Sequence, residues 1–474
     1  MDEDTHFPDS DLDLSFTSCA STAATDRTFA SSSARSSLAR SSLTLSFNES
    51  RLSTNTSTSA AAPNLHLRPH RKSDPHWSAI KTATTLSSDG ALHLSHLKLL
   101  RHLGTGNLGR VFLCRLRDND HANFALKVVD RENLTNKKLS HVQMEAEILS
   151  ALDHPYLPTL YAHLEVSHYT CLLIDYCPNG DLHSLLRKQP GNRLPVEAVR
   201  FFAAEVLVAL EYLHALGVVY RDLKPENVLL RENGHIMLSD FDLCFKADIA
   251  PKLERRIHRN KVESGRKWPR SCFGYRELEE EVVTEFVAEP TTAFSRSCVG
   301  THEYLAPELI TGSGHGNGVD WWAFGVFVYE LLYGTTPFKG ASKEATLRNI
   351  ASSRGVRFTE AEGMDEARDL IEKLLVKDPR RRLGGARGAT DIKRHPFFNG
   401  IKWPLIRTYR PPEVRGLVVR KSRTHVSHVA SPKRRRWLWK RLACLMMKNK
   451  GTHSLNSNRN YYSYSDSNKV RKHA

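Results

Sequence analysis

The stretch YRDLKPEN occupies residues 220–227, and SDFD follows at 239–242. Together they supply Asp222, Lys224, Asn227 and Asp240 within one short run of chain. Phosphoryl transfer needs such a set: a carboxylate that orients the nucleophile and accepts its proton, a cation on the migrating phosphoryl group, and oxygen ligands for magnesium ions bridging the phosphates. Upstream, Gly104, Gly106 and Gly109 punctuate GTGNLGRV, where missing side chains let backbone N–H groups approach a polyphosphate. An ordinary hairpin uses glycines in the same way. A dinucleotide fold would need a helix next, and VFLCRL at 111–116 reads as a strand, so that fold drops out. Lys127 ends FALK on an apolar strand, and Glu145 lies on the helix after it. The pair can clamp the α- and β-phosphates through one ammonium held by one carboxylate, or can form a surface salt bridge.

The surrounding pattern predicts an α+β, bilobal fold. From about Leu92, HLKLLRHLGTGNLGRVFLCRLRD and FALKVVDR read as three strands of a small antiparallel sheet. KKLSHVQMEAEILSAL places Val142, Ala146, Leu149 and Leu152 at helical spacing, so one main helix packs beside the sheet. After CLLIDYCPNG the chain turns to long apolar-periodic helices, EAVRFFAAEVLVALEYLHAL and the segment around DWWAFGVFVYELLYG. The two lobes join near Asp175 to Cys177, and no solenoid repeat is present.

In order and lobe position, these motifs resemble those of the eukaryotic protein kinases over roughly Leu97 to Phe398. The resemblance implies that Leu103, Gly104, Thr105, Gly106, Asn107, Leu108, Gly109, Arg110 and Val111 cover ATP and that Lys127 pairs with Glu145. Asp175 and Cys177 flank the hinge that faces adenine, with Ile174 as gatekeeper and Asp181 beyond them in the nucleotide site. Asp222 is implied as catalytic base and Lys224 as partner of the γ-phosphate. Asn227 and Asp240 are implied as metal ligands, for Mg²⁺ because hard oxygen donors suit it. Lys224 after RDL, with Thr301 in VGTHEYLAPE, is similar to the serine/threonine branch. Glu308 would pair with Arg382, and Asp320 would cap the catalytic-loop backbone; either can also be an ordinary buried polar contact elsewhere. Asp181, Glu226 and Glu330 match positions that read substrate arginines in basophilic AGC kinases.

Two departures narrow the resemblance. Position 242 is aspartate, so DFG has become DFD; glycine tolerates unusual dihedrals and Asp is among its better substitutes. The chain from Asp240 to Glu308 is 68 residues, far longer than in most kinases. Both features, with SDFDLCFKAD, FVAEPTTAFSRSCVGTHEYLAPELI and the N-terminal DRTFASSSARSSLARSSLTLSF, resemble plant AGC kinases of the PINOID and WAG type, the WAG branch most. That resemblance implies auxin signalling, with the cytoplasmic loops of PIN auxin efflux carriers as substrates. Ser297 takes the activation-loop position four residues before Thr301, where a phosphate would add about −1.5 to −2 charge for Arg221 to pair with; Ser295 is its local rival. An unmodified loop serine is the other reading.

Composition bounds the rest. With 474 residues, 40% apolar and 25% charged, the chain can bury a large core, which excludes a disulfide-stapled miniprotein. Eight cysteines without a CxxC pair fit reduced thiols and an intracellular setting, and the acidic MDEDTHFPDSDLDLSF opening is unlike a signal peptide. No apolar run is long enough to span a membrane. Among the first 60 residues 25 are Ser or Thr, so residues 1–90 are expected to form a disordered tail ahead of a kinase domain at 97–398. Its serines after Arg35 and Arg40 are either phosphorylation sites or part of a solvated low-complexity segment.

The net charge of +16 is concentrated in two places. Residues 246–276 carry ten Lys/Arg against three Asp/Glu, and 402–474 carry nineteen against two. The first lies in an insertion at 246–296, expected to be a flexible basic stretch followed by six glutamates at 277–289. Three readings stay open for it: a solvated loop, a site for anionic phospholipid, or a segment that folds onto its own acidic half or autoinhibits. The second lies in an AGC-type extension at 399–474. There KRRRWLWKRLACLMMK, 433–448, sets Leu438, Trp439, Leu442, Leu445 and Met446 against Arg436, Lys440, Arg441 and Lys448. An interfacial membrane helix, a disordered basic tail and a nuclear-import signal are its three readings, so a cytoplasmic and peripheral plasma-membrane location is expected and a nuclear pool stays open. The family implies an upstream phosphoinositide-dependent kinase, although no FxxF motif follows WPLIRTYRPPEVR. No nucleic acid is expected, because no recognised module accompanies the charge. A catalytically silent scaffold is the competing class, and intact Lys127, Asp222, Asn227 and Asp240 argue against it.

Overall fold

Asp74 opens the part of the chain that the computed structural model describes, residues 74–419 apart from Asn133, Ala250, 260–279 and 360–362. Its carboxylate accepts the His76 N–H, and Pro75 follows at the first helical position, where a missing N–H costs no hydrogen bond; helix α1 (Pro75–Thr85) starts there. Trp77, Ala79 and Ile80 are its buried residues. The disordered reading of 1–90 is thereby corrected for 74–90, while residues 1–73 lie outside the described residues. An eleven-residue helix with three buried positions is marginal by itself. What stabilises α1 is a sheet formed by later residues, a partner that no local pattern announces.

That sheet consists of β1 (Leu97–Thr105), β2 (Arg110–Leu116), β3 (Asn119–Asp130), β4 (Leu160–Val166) and β5 (Tyr169–Asp175), antiparallel throughout in the order β1-β2-β3-β5-β4. One face gathers Phe124, Tyr161 and Leu173 with Trp77 and Ile80; the Trp77 and Tyr161 rings lie 5.2 Å apart. Helix α2 (Asn136–Ala151), capped by Thr135, packs beside the sheet with Val142, Ala146 and Leu149 buried, as their spacing predicts.

Beyond the hinge the chain builds the larger lobe from α3 (Leu182–Leu186), α4 (Val196–Ala215), β6 (Val218–Val219), β7 (Val228–Leu230), β8 (Ile236–Leu238) and β9 (Phe245–Lys246). β7 pairs with β8 and β6 with β9, which leaves the residues between them as the short loops that carry YRDLKPEN and SDFD. Next come β10 (Lys252–Arg259), β11 (Glu280–Val287), α5 (Pro307–Ile310), α6 (Gly318–Tyr333), α7 (Lys343–Ala351), α8 (Asp365–Leu374) and α9 (Ala389–Lys393). Both α4 and α6 are apolar on nearly every side and are accordingly buried at the centre of the lobe, α6 ending where Gly334 takes a left-handed φ of 74°.

The insertion departs from the flexible stretch expected of it. β10 and β11 pair in full antiparallel register, His258 opposite Glu281 and Arg259 opposite Glu280, so the basic and acidic halves form one hairpin stem. The run of β-branched residues Val282, Val283 and Thr284 in EEVVTEFV favours a strand. Arg387 anchors the stem to the lobe, 3.3 Å from Glu285.

Downstream, the Arg382 guanidinium binds Glu308 through two parallel bonds of 2.7 and 2.9 Å, both partners buried. The extension then returns along the larger lobe, where Gln189 donates to the Arg415 carbonyl and Asn179 to that of Val418. Its segment 433–448 lies outside the described residues. No helix among the described residues is long and apolar enough to cross a membrane. Because Trp77 fills the back of the sheet, Trp77→Ala is expected to destabilise the protein by about 3–5 kcal/mol, read as a lower urea midpoint, while Lys81→Ala on the exposed side of α1 leaves the midpoint unchanged.

Candidate active site

β3 and α2 hold the first pair. Lys127 projects from β3 to Glu145 on α2, with both carboxylate oxygens 2.7 Å from Nζ, and reaches Asp240 of the larger lobe at 3.2 Å. Both members are buried, so the surface salt bridge is excluded. Burial disfavours the Lys127 ammonium, yet Glu145, Asp240 and Asp242 hold its pKa above the ordinary lysine value.

The loop between β6 and β7 gathers the second set. Asp222, buried, accepts from Lys224 Nζ at 2.8 Å, from Asn227 Nδ2 at 2.8 Å and from the Thr301 hydroxyl at 3.1 Å. Lys224 also donates to Thr301 Oγ1 at 2.9 Å. Burial raises the Asp222 pKa above the ordinary carboxylate value, with Lys224 opposing it. Since Asn227 commits its amide nitrogen to Asp222, its amide oxygen turns elsewhere and is a donor suited to a hard cation. The Asp240 carboxylate, one-third exposed at the junction of the lobes, is the second such donor. These two oxygen donors beside a lysine fit a divalent ion carried with phosphates.

The turn between β1 and β2 is closed by a Gly106 N–H to Gly109 carbonyl bond of 2.8 Å. A Cβ on Gly104 would meet nothing within 4 Å, so its neighbours in the protein do not require glycine there, and the open space suits a phosphate. Gly109 is different: a Cβ would stand 2.3 Å from the Val128 carbonyl, so packing on β3 requires it. Leu103, Asn107 and Val111 are half-buried and Thr105 and Arg110 exposed along the turn, whereas Leu108 is buried against Val129 and Val142, leaving only its backbone for a ligand.

At the hinge, the Asp175 carboxylate accepts from the Thr159 N–H at 2.8 Å and the Tyr161 hydroxyl at 3.0 Å, so its backbone is what remains for a nucleotide. Burial pushes the Cys177 thiol up to about 12, an inert group. Asp181 spends its carboxylate capping α3 through the Ser184 N–H and hydroxyl, which competes with both roles expected of it. Glu330 accepts from the Tyr304 hydroxyl, and burial, with Glu226 and Glu303 nearby, pushes its carboxyl up to about 7.

The DFD aspartate corrects one expectation. Asp242 has no positive φ; the left-handed residue is Asp240, at 57°. The substitution therefore does not replace a glycine's dihedral freedom in this conformation. Instead Asp242 brings a buried carboxyl, and burial together with Asp240 pushes it up to about 7.

Arg221, itself at a φ of 68°, donates to the Ser297 hydroxyl at 2.8 Å, the Ser295 hydroxyl at 3.3 Å and the Leu243 carbonyl at 2.6 Å. Among the described residues no carboxylate lies within ion-pair distance of it. Two histidines that sequence reading missed share its neighbourhood: Arg221 lowers the pKa of His141 on α2 and of His315, in both cases after burial. Neither the His141 Nδ1 nor the His315 Nε2 has a hydrogen-bond partner. Only the sequence interval from His141 to Arg221 separates them from recognition, since nothing local marks a histidine as facing a loop eighty residues on.

A model of the protein kinase domain matches residues 97–261 and 282–398. Over 98% of its length the chain is 68% identical to serine/threonine-protein kinase WAG1 of Arabidopsis thaliana, covering 99% of that protein. To WAG2 of the same plant it is 66% identical, over 98% of this chain and 97% of the relative. Identity to protein kinase PINOID of Oryza sativa subsp. japonica is 48%, over 76% of this chain and 78% of the relative. The buried Lys127–Glu145 pair, the Asp222 cluster and these matches agree: the chain belongs to the protein kinase family, as a plant AGC-type serine/threonine kinase of the WAG and PINOID type.

Proposed function

We propose that the protein phosphorylates serine and threonine hydroxyls in Arg-containing segments of membrane carriers, PIN auxin efflux carriers being the class that the names of its relatives suggest. The observation that carries the phosphotransfer reading is Asp222, a buried carboxylate fixed by Lys224, Asn227 and Thr301. Asp222 orients the substrate hydroxyl and takes its proton, its raised pKa bringing it nearer that task. Lys224 stabilises the negative charge on the phosphoryl group in transit, and Lys127, held by Glu145, positions the phosphates behind it. Magnesium, held by Asn227 and Asp240, would neutralise phosphate oxygens.

The acidic trio Glu226, Glu303 and Glu330 supports arginine recognition through charge-assisted hydrogen bonds. Ser297 supports a switch: a phosphate there would meet the uncompensated Arg221 guanidinium, with His141 and His315 close by. Anionic phospholipid is the proposed surface for the basic segments, with a cytoplasmic and plasma-membrane residence and a nuclear pool as its consequence. Pairing within the hairpin stem redistributes that charge. Residues 260–279, between the strands, hold five Lys/Arg against three Glu, whereas 433–448 hold seven Lys/Arg and no acid. At roughly 1 kcal/mol per basic residue near an anionic leaflet, the C-terminal segment dominates. An upstream phosphoinositide-dependent kinase is the proposed donor for Ser297.

Four measurements follow from this reading. With Mg-ATP and a carrier-loop fragment, wild-type protein is expected to modify Ser or Thr beside arginines, and Asp222→Asn to lose about 100- to 10,000-fold in kcat; equal turnover by that variant would restore the silent-scaffold reading. Because Glu330 ionises near pH 7, the KM for an arginine peptide should fall between pH 6 and pH 8, more than for an arginine-free peptide. Ser297→Ala should hold peptide phosphorylation at the basal rate after treatment with an upstream kinase, and unchanged activation would refute the switch. Flotation with anionic liposomes should be lost on removing 433–448 and largely kept on removing 260–279; the opposite pattern would reassign the surface.

A further inference from the structure

Glu289 follows β11 at the downstream end of the insertion, and its carboxylate is buried in the larger lobe. Oε2 lies 2.8 Å from His214 Nδ1 and accepts from Asn317 Nδ2 at 2.7 Å; Oε1 accepts from the Ala389 N–H at 3.3 Å. These partners come from the end of α4, the residue before α6 and the start of α9. The pocket is built for the carboxylate: at Gly388, whose φ is 55°, a Cβ would stand 1.5 Å from Oε1. No side chain other than glycine's leaves room for Glu289 there.

The other nitrogen of the same imidazole, His214 Nε2, lies 2.8 Å from Asp320 Oδ2. Asp320 in turn accepts the Tyr220 N–H at 2.8 Å and the Arg221 N–H at 2.7 Å, the two residues before Asp222. His214 and Asp320 are wholly buried. An imidazole between two carboxylates can satisfy both only by donating from both nitrogens, which is the imidazolium. Burial works against that cation, but Glu289 and Asp320 push its pKa up to about 10; the Trp321 ring packs against it at 4.7 Å.

We propose that Glu289 is a positioning residue for phosphoryl transfer, fixing the downstream end of the insertion to the catalytic-loop backbone through the buried chain Glu289–His214–Asp320. Removing its charge leaves His214 with one carboxylate and one amide. The imidazole then gives up a proton, its bond to Asp320 weakens, and Tyr220 and Arg221 lose the fixed acceptor that sets the direction of Asp222. Small errors in that direction are costly, since a displacement on the order of 1 Å can slow an oriented reaction about 100-fold.

This role rests on the phosphotransfer reading above, and the test separates the two. Full-length protein labelled with ¹⁵N-histidine is compared with Glu289→Gln, Gly388→Ala and, on the exposed side of the hairpin, Arg255→Gln. Wild-type His214 is expected to show both ring nitrogens protonated at about pH 8, where an ordinary histidine is neutral. Glu289→Gln should show a neutral His214, faster amide exchange at Tyr220 and Arg221, and a kcat lower by about tenfold or more with KM for ATP within about twofold. Gly388→Ala should follow it, and Arg255→Gln should match wild type. A neutral His214 in wild-type protein overturns the chain whether or not any variant folds. Full kcat in a folded Glu289→Gln variant overturns the positioning role alone. Wild-type protein inert toward every arginine peptide overturns the phosphotransfer reading and this role with it.

Discussion

The catalytic loop is held by one buried carboxylate. Asp320, at zero exposure, takes two backbone N–H groups and a histidine, so the cost of removing a charge from water is offset by three charge-assisted hydrogen bonds. In return the loop cannot relax. Arg221 stays at a left-handed φ of 68°, a conformation that costs a non-glycine residue on the order of 1 kcal/mol or more. That strain sends consecutive side chains in different directions: Arg221 toward Ser295 and Ser297, Asp222 toward Lys224, Asn227 and Thr301. A single acceptor thereby aligns the arginine that binds Ser295 and Ser297 and the aspartate that gathers Lys224, Asn227 and Thr301.

Charge is unbalanced in the cleft those residues face. Glu145, Asp222, Asp240 and Asp242 bring four carboxyl groups, and Lys127 and Lys224 bring two ammonium groups. The cost appears where burial is deep and no ammonium touches the carboxyl, at Asp242, which sits near 7 rather than 4. Protein kinases as a class work with ATP and divalent metal ions, whose positive charge meets a deficit of this sign. The aspartate in place of the usual glycine differs here in its buried carboxyl, since its backbone asks for nothing that glycine alone could give.

Legibility in the sequence followed the distance over which each signal acts. YRDLKPEN and SDFD could be read because their chemistry is packed into adjacent loops, and the Lys127–Glu145 pair because a strand and the next helix carry it. Glu308 with Arg382 was readable only through resemblance, yet the two lie where it implied. The unread parts are those completed by distant partners. α1 needs Phe124 and Tyr161 to be a helix worth forming, and Glu289 means little until His214, Asn317 and Gly388 surround it. The hairpin stem was weighed only as folding onto an acidic half, because a run of arginines and a run of glutamates separated by twenty residues show no register.

An activation segment of this length is tolerated because it is pinned at both ends. Upstream, β9 pairs with β6, and Gly217, left-handed at 76°, lets the Ala247 carbonyl approach to where a Cβ would stand 2.1 Å away. Downstream, Glu289 is buried, and Ser295 and His315 exchange two backbone hydrogen bonds of 2.9 Å. Between those pins the stem closes the insertion on itself, so the loop that must be ordered for Ser297 to reach Arg221 starts after β11 rather than at Asp240. Loop closure grows only logarithmically with length, by about 0.6 kcal/mol per doubling, and a paired stem removes even that dependence from the functional loop. The insertion can therefore vary in length and charge beyond its stem without altering the geometry at Asp222, which is set by Asp320 and by what holds Asp320.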